Sequence, residues 1–445
     1  MSLAKIWTAA GATPPIGKIL DVRTQPGTQN RGLYATKRIY AGDELLRVPL
    51  SSIVSVPRGA DDDAALATAL GRATVERPLW VEYRRSVLPK TTNAAMLWKE
   101  AEIRELQHPP AVALALDLRR RRDRFRASAP DWAWSMVYSR SFSLELGGGY
   151  KSRRVRACVP IMDLANHLPE SPAAYARACG DGDAPLAPIS ATDDSVVLRA
   201  PHDAAEGAEI LVPYGLETNA ELLVQHGFEL GADNDAEYVG LADDLDDFVR
   251  RAAPLAGLDG AAAAERLARL RELDAAEAPL AARGDLAASG HVLGCARYLC
   301  DPAGMEEEFC PAAGHHTLLG DPAPAADGRA RALVSELALQ ALRAFPTTTV
   351  EDEAALASAT DKRTSAALAY RLGVKRRLQT FVGQLRFREY NFGDTCHAKC
   401  SAISPRARTC RTARRRPPHR RAAVAEARAP PAPSSSASRI RAARR

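Results

Sequence analysis

The sequence predicts an α+β protein: a β-rich domain interrupted by a helical insertion, then an all-helical domain, then a tail. Three observations carry this. Alternating apolar and polar segments occur at 18–57 and return at 152–215, the stretch between them has helical spacing, and the pattern from about 245 to 390 is helical throughout. A chain of 445 residues is too long for one core and suits two domains plus tails.

Taken in order, Gly32 to Pro49 reads GLYATKRIYAGDELLRVP. Leu33, Ala35, Ile39, Leu45 and Val48 alternate with polar residues, and Ala41-Gly42-Asp43 supplies a turn. The helical insertion covers about 60–150. Asp61-Asp62-Asp63 are placed to cap its first helix, and Trp80, Tyr83, Val87 and Leu88 recur at helical spacing until Pro89. The pattern resumes through Trp98, Ile103 and Leu106 and runs on to Trp132 and Trp134. Strands return as VRACVPIMDL, DSVVLRA and AEILVPYG. Beyond 245, Val292, Leu293 and Leu299, then Leu333 to Leu342, mark helices. Pro346 and Thr347-Thr348-Thr349 break the run before a helix with Glu351, Asp352 and Glu353 in its first turn.

Residues 391–445 read as a disordered basic tail, because Pro, Ser, Ala and Arg dominate and no core can form from them. From 399 onward, fourteen Lys or Arg face the single acid Glu426, a net +13. Since the whole chain carries +6, the preceding 398 residues carry −7. The basic balance therefore describes the tail and not the body. Arg411 to Arg421 lacks interleaved aromatics, so a solvated run is favoured over a nucleic-acid contact.

No apolar run approaches the 18 or more residues of a membrane span, and the first residues lack the layout of a secretory signal. An intracellular protein is expected, in cytoplasm or nucleus ahead of plastid. The eight cysteines follow no secreted disulfide pattern. Cys396, His397, Cys400 and Cys410 form C-x3-C-x9-C without a clear fourth ligand, and no metal is expected. Gly11 to Lys18, GATPPIGK, echoes a phosphate-binding loop. It has five residues between its glycines, and Ile19 stands where a magnesium-binding hydroxyl is required.

Two distant segments point to chemistry: VPIMDLANH, Val159 to His167, and EGAEILVPYGLETNAELLVQHGFE, Glu206 to Glu229. Alone, an Asn-His pair reads as a turn or helix start and a Tyr-Gly as a strand end. Together, and preceded by GLYATKRIYAGDELLRVP, they resemble the strings that SET domains thread through each other in a pseudoknot. The helical insertion and the segment FPTTTVEDEAALASATDKRTSAALAYRLGVKRRL, Phe345 to Leu378, resemble the Rubisco large-subunit lysine methyltransferase and actin-histidine methyltransferase group.

That resemblance implies a SET domain at 18–240 and a substrate-docking helical domain at 245–390. It also implies S-adenosyl-L-methionine (SAM) as cofactor. The activity implied is protein-lysine N-methylation of a non-histone protein docked on the C-terminal domain; the alternatives are protein-histidine methylation and a non-catalytic scaffold. No membrane partner is expected.

By the same resemblance Arg140 anchors the SAM carboxylate, a role suited to a guanidinium that stays charged. Asn166 accepts from the ammonium, His167 meets the adenine edge through its backbone, and Phe228 lies on the adenine face. Asp163 orients its turn. Gln29 and Arg31, beside Asn30-Arg31-Gly32-Leu33 where the family carries G-x-G-L, present backbone groups to the cofactor. The alternatives are a surface Arg140 and a core Phe228. Tyr214 is the expected catalytic residue. Only about one lysine in 2,500 is neutral at pH 7, and a hydroxyl that aligns the amine with the sulfonium methyl works by positioning. The family commonly has a second Tyr two residues before the Phe; this chain has His226 there.

Overall fold

A short helix, α1 (Leu3–Ala9), opens the chain in the computed structural model, which describes residues 2–25, 30–90, 92–147, 152–168, 188–215, 217–272, 280–283, 289–302, 305–310, 315–320 and 324–386. Nothing in the apolar pattern of residues 3–9 predicts α1. It seats Ile6 and Trp7 in the core, and the Trp7 indole donates to the Pro14 carbonyl at 2.8 Å. The loop-like GATPPIGK segment leads into a strand and not a helix, so it is no phosphate loop.

Strands β1 (Leu20–Thr24), β2 (Arg31–Ala35), β3 (Glu44–Pro49) and β4 (Val54–Pro57) follow, matching the alternation of apolar residues. Leu33, Ala35, Leu45 and Val48 are all buried.

The insertion comprises α2 (Asp62–Glu76), α3 (Pro78–Ser86), α4 (Glu100–Arg104), α5 (Pro109–Arg124) and α6 (Asp131–Arg140). Asp61 occupies the N-cap position of α2, but its side chain makes no capping bond. Asp62 and Asp63 are buried in the first turn instead. Asp62 pairs with Arg58 at 2.7 Å, and Asp63 pairs with Arg121 at 3.1 Å and accepts from the Tyr138 hydroxyl. The acidic triplet thus ties the helix to its neighbours more than it caps it.

Helix α6 passes directly into β5 (Ser141–Leu146), followed by β6 (Arg153–Cys158), β7 (Asn166–His167), β8 (Ile189–Ala191), β9 (Ser195–Arg199) and β10 (Glu209–Val212). The strands form three small sheets in the orders β1-β2-β10-β7, β3-β9-β8 and β4-β6-β5. Strand β10 lies antiparallel to β2 and parallel to β7, with Leu211 opposite Asn166 and Val212 opposite His167. Segments near residues 31, 166 and 211 therefore meet in one sheet.

Next come a single turn, α7 (Asn219–Glu221), that widens into a π-helical turn over Leu222–His226, and β11 (Val239–Gly240). The remaining elements are α8 (Leu245–Ala256), α9 (Gly260–Glu272), β12 (Ala281–Ala282), α10 (Gly290–Cys300), β13 (Met305–Cys310), β14 (His315–Gly320), α11 (Pro324–Arg343), α12 (Thr349–Ser358) and α13 (Lys362–Arg386). This region is mainly helical, as its spacing predicts, with one correction: β13 and β14 form an antiparallel hairpin, and β12 pairs back to β11. A run as short as MEEEFC or HHTLLG carries too few residues for its period to be read.

Thr348 and Glu351 form a reciprocal capping box at the start of α12, as the threonine run and its acids anticipate. Asp352 then points inward, where it binds Arg371 at 2.7 Å and Lys375 at 2.5 Å. Arg371 reaches on to the Glu105 carbonyl at 2.9 Å, and the Tyr370 hydroxyl meets His108 Nδ1 at 2.6 Å. These contacts fasten α13 to the insertion.

The described residues belong to a single packed unit, and none of their helices is long and apolar enough to cross a membrane. The tail at 391–445, with its Cys396, His397, Cys400 and Cys410, lies outside the described residues.

Candidate active site

The parallel pairing of β7 with β10 places Asn166 and His167 beside the chain that leads to Tyr214. The Tyr214 backbone N–H donates to His167 Nδ1 at 3.2 Å, and the two rings lie 5.0 Å apart. That bond makes Nδ1 the acceptor, so the neutral imidazole carries its proton on Nε2. Burial pushes the His167 pKa down to about 4, which keeps it neutral near pH 7.

The Tyr214 hydroxyl donates to the Ala165 carbonyl at 3.0 Å, and burial raises its pKa to about 12. It is a neutral donor at physiological pH. The ring also stacks on His226 at 4.9 Å and 23°. His226 is also neutral, its pKa lowered to about 4 by burial and then by His167 and Arg140. It closes the π-helical turn at Gly227, whose φ is +86°. A Cβ on Gly227 would come within 2.6 Å of the Ala94 backbone nitrogen, so only glycine lets this turn close on the insertion.

Phe228 follows immediately. Its ring lies 6.3 Å from His167 and 6.0 Å from His226, yet the residue is 36% exposed. The reading of Phe228 as a plain core residue is thereby excluded. A large, partly exposed aromatic beside two neutral imidazoles can receive a flat ring.

Arg140 ends α6, and its Nη1 donates to the Asp163 carbonyl at 2.6 Å and reaches Asp163 Oδ2 at 3.4 Å. Its Nε and Nη2 make no hydrogen bond among the described residues. Burial works against its charge, but Asp163 and the phenols of Tyr214 and Tyr83 more than offset this and raise its pKa. The guanidinium is thus half-engaged, with its other donors free to take a carboxylate.

Asp163 also accepts from the Tyr83 hydroxyl, which in turn accepts from the Ile161 backbone N–H at 2.8 Å. Burial raises the Asp163 pKa, with Arg140 and then Tyr83 offsetting part of the rise. Ile161 has φ +74°, a rare conformation for a β-branched residue. Asp163 therefore orients its turn, as the sequence reading expects. Tyr83, which sequence spacing identifies only as an apolar helix position, is a member of the site's support.

Asn166 Nδ2 donates to the Arg31 carbonyl at 3.1 Å and to Glu209 Oε1 at 2.6 Å. Its Oδ1 has no partner among the described residues. The Arg31 carbonyl thus faces Asn166, while the Arg31 side chain turns away to the Ser86 carbonyl at 2.8 Å. Gln29 lies outside the described residues. The candidate residues Arg31, Arg140, Asn166, His167, Tyr214 and Phe228 lie within this set of contacts together with Asp163 and His226, and the structure adds Tyr83 and Glu209. No group of three or more His, Cys, Asp or Glu among the described residues could hold a metal ion.

The chain is similar to a crystal structure of the SET domain of LSMT bound to lysine and AdoHcy. The TM-score is 0.48 at 17% identity, covering 93% of this chain and 98% of that one. It is also similar to Rubisco LSMT bound to AdoMet, with a TM-score of 0.43 at 16% identity over 93% of this chain and 96% of that one. No family model matches the chain, and no curated protein matches its sequence significantly.

Proposed function

We propose that this protein is a SAM-dependent methyltransferase acting on a lysine side chain of a non-histone protein. The carrying observation is the gathering of Arg140, Asn166, His167, Tyr214 and Phe228 from segments far apart in the chain. Their open groups suit SAM: two guanidinium donors for its carboxylate, an amide oxygen for its ammonium and an exposed ring for its adenine. When bound, SAM supplies an electrophilic methyl group on a sulfonium.

The chain's own part is positional. His167 and His226 are both neutral and lie against the Tyr214 ring, so they hold it without adding charge that would repel a cationic cofactor. The hydroxyl, held as a neutral donor and acceptor, is placed to orient an amine. Neither histidine is a strong enough base near pH 7 to take the ammonium proton, so deprotonation falls to solvent. We assign residues 18–240 to the catalytic domain and 245–390 to substrate docking.

The test is transfer of radiolabelled methyl from SAM into a cell lysate, with mass spectrometry of the labelled band. Labelled lysine is expected. Tyr214→Phe should slow transfer about 10²-fold, the scale of one preorganised polar contact, while SAM binding falls much less. Label on histidine would overturn the acceptor. No transfer by the parent would leave the fold an interaction scaffold.

A further inference from the structure

A primary amide can face either way, and which way Asn166 faces decides what it binds. Both groups in contact with its nitrogen, the Arg31 carbonyl at 3.1 Å and Glu209 Oε1 at 2.6 Å, can only accept. A flipped amide would set its oxygen against two acceptors and leave both unsatisfied. Asn166 is therefore locked with Oδ1 outward.

Glu209 in β10 is itself held from the far side. Gln25 Nε2 approaches both of its oxygens, at 3.4 and 3.1 Å. Burial and the Glu209 carboxylate together push the Tyr34 phenol above its ordinary pKa, so Tyr34 serves as a neutral neighbour. No lysine or arginine among the described residues forms an ion pair with Glu209. Its charge stands without a cation, next to the residue proposed to meet an ammonium.

Gly32 makes the approach geometrically possible. A Cβ there would lie 2.1 Å from Glu209 Oε1 and 3.1 Å from Asn166 Nδ2. Three neighbouring strands, β2, β10 and β7, thus contribute a bare glycine, a carboxylate and an amide to one point.

We propose that Glu209 is a positioning residue for the cofactor's ammonium: it fixes the Asn166 amide so that Oδ1 faces the ligand. The inference rests on the SAM reading above and adds to it a residue that does not itself touch the ligand. Because the effect runs through Asn166, it has a signature that a merely structural role lacks.

The experiment is a double-mutant cycle read by calorimetry on the full chain, with SAM and with 5′-methylthioadenosine, which lacks the amino-acid portion. Glu209→Gln keeps the shape but can donate, so the amide is no longer locked. Alone it should weaken SAM binding about tenfold, the scale of losing a hydrogen bond to a charged group. In an Asn166→Ala background the same change should weaken SAM by less than about twofold, since the residue it acts through is gone. Methylthioadenosine affinity should be unchanged in every variant, which also shows that the variants are folded. Equal losses in both backgrounds would overturn the proposal, because Glu209 would then act on the ligand independently of Asn166. Loss of methylthioadenosine binding would overturn it too, by showing general distortion of the site. A parent that binds neither compound would remove the SAM reading itself, an outcome distinct from a failed cycle.

Discussion

Replacing Tyr83 with Phe removes one oxygen and unties two groups. The hydroxyl donates to the buried Asp163 carboxylate and accepts from the Ile161 backbone N–H at 2.8 Å. Both partners sit where water does not reach, and each orphaned buried group costs about 1–3 kcal/mol. A total of about 2–6 kcal/mol follows, which for a chain of this size lowers the melting temperature by on the order of 5 °C or more. The effect should also reach the ligand. Asp163 keeps Arg140 as its charged partner, and a carboxylate short of one donor draws the guanidinium toward itself. SAM affinity should therefore fall about tenfold in calorimetry, the scale of weakening one charge-assisted contact. Tyr138→Phe is the control. It removes an equivalent tyrosine–aspartate bond, to Asp63, which keeps Arg121 at 3.1 Å and the Ala64 N–H at 2.8 Å. It should cost less stability and leave SAM affinity intact. Unchanged melting in Tyr83→Phe, or equal loss of SAM affinity in the two variants, would refute the reasoning.

Three further outcomes are expected. Phe228→Ala should weaken SAM by about 1–2 kcal/mol of lost ring stacking without lowering the melting temperature, because the ring is 36% exposed and seals no core; calorimetry and thermal melts check this. Burial raises the Glu237 pKa from 4.5 to about 7, the Asn219 N–H opposing this only in part. The folded state then holds a proton that the unfolded chain has lost, so this contribution to stability is complete below pH 4.5 and disappears as the pH rises through about 7. Glu237→Gln should accordingly melt above the parent beyond pH 7 and show a flatter dependence on pH. Asp352→Ala strands Arg371 and Lys375 without their shared buried anion, and urea unfolding should show a loss of about 3–5 kcal/mol.

The succession of strands, helical insertion, strands and helices was legible because its elements are long enough for a period to show. Leu33, Leu45 and Val48, apolar positions of that alternation, are buried accordingly. The candidate site is legible where two segments have to match together, as at Asn166-His167 and Tyr214, which the parallel pairing brings side by side. What stayed hidden is what depends on a partner distant in sequence. Tyr83 occupies an apolar position of α3, and nothing local shows that its hydroxyl meets Asp163, eighty residues on. Glu209 looks like an ordinary polar residue opening a strand until Asn166 is set against it. The need for glycine at residue 32 likewise comes from that carboxylate, through close approach and not through a turn. Helix α1 is not legible because it is a short helix with only Ile6 and Trp7 buried.

The link between α13 and the insertion has a temporal meaning. Arg371 and Glu105 are 266 residues apart, and closing a loop of that length costs roughly 5 kcal/mol of chain entropy. Contacts of such separation form late, after local helices and hairpins exist. During synthesis, the Glu105–His108 corner must wait for Tyr370 and Arg371 to leave the ribosome before it can be secured. Until then His108 lacks the hydroxyl that meets its ring, and a nascent chain stopped short of residue 370 presents that corner open to proteases and chaperones. The last described helix, α13, thus secures the lobe beside the candidate site only once residues 370 and 371 have been made.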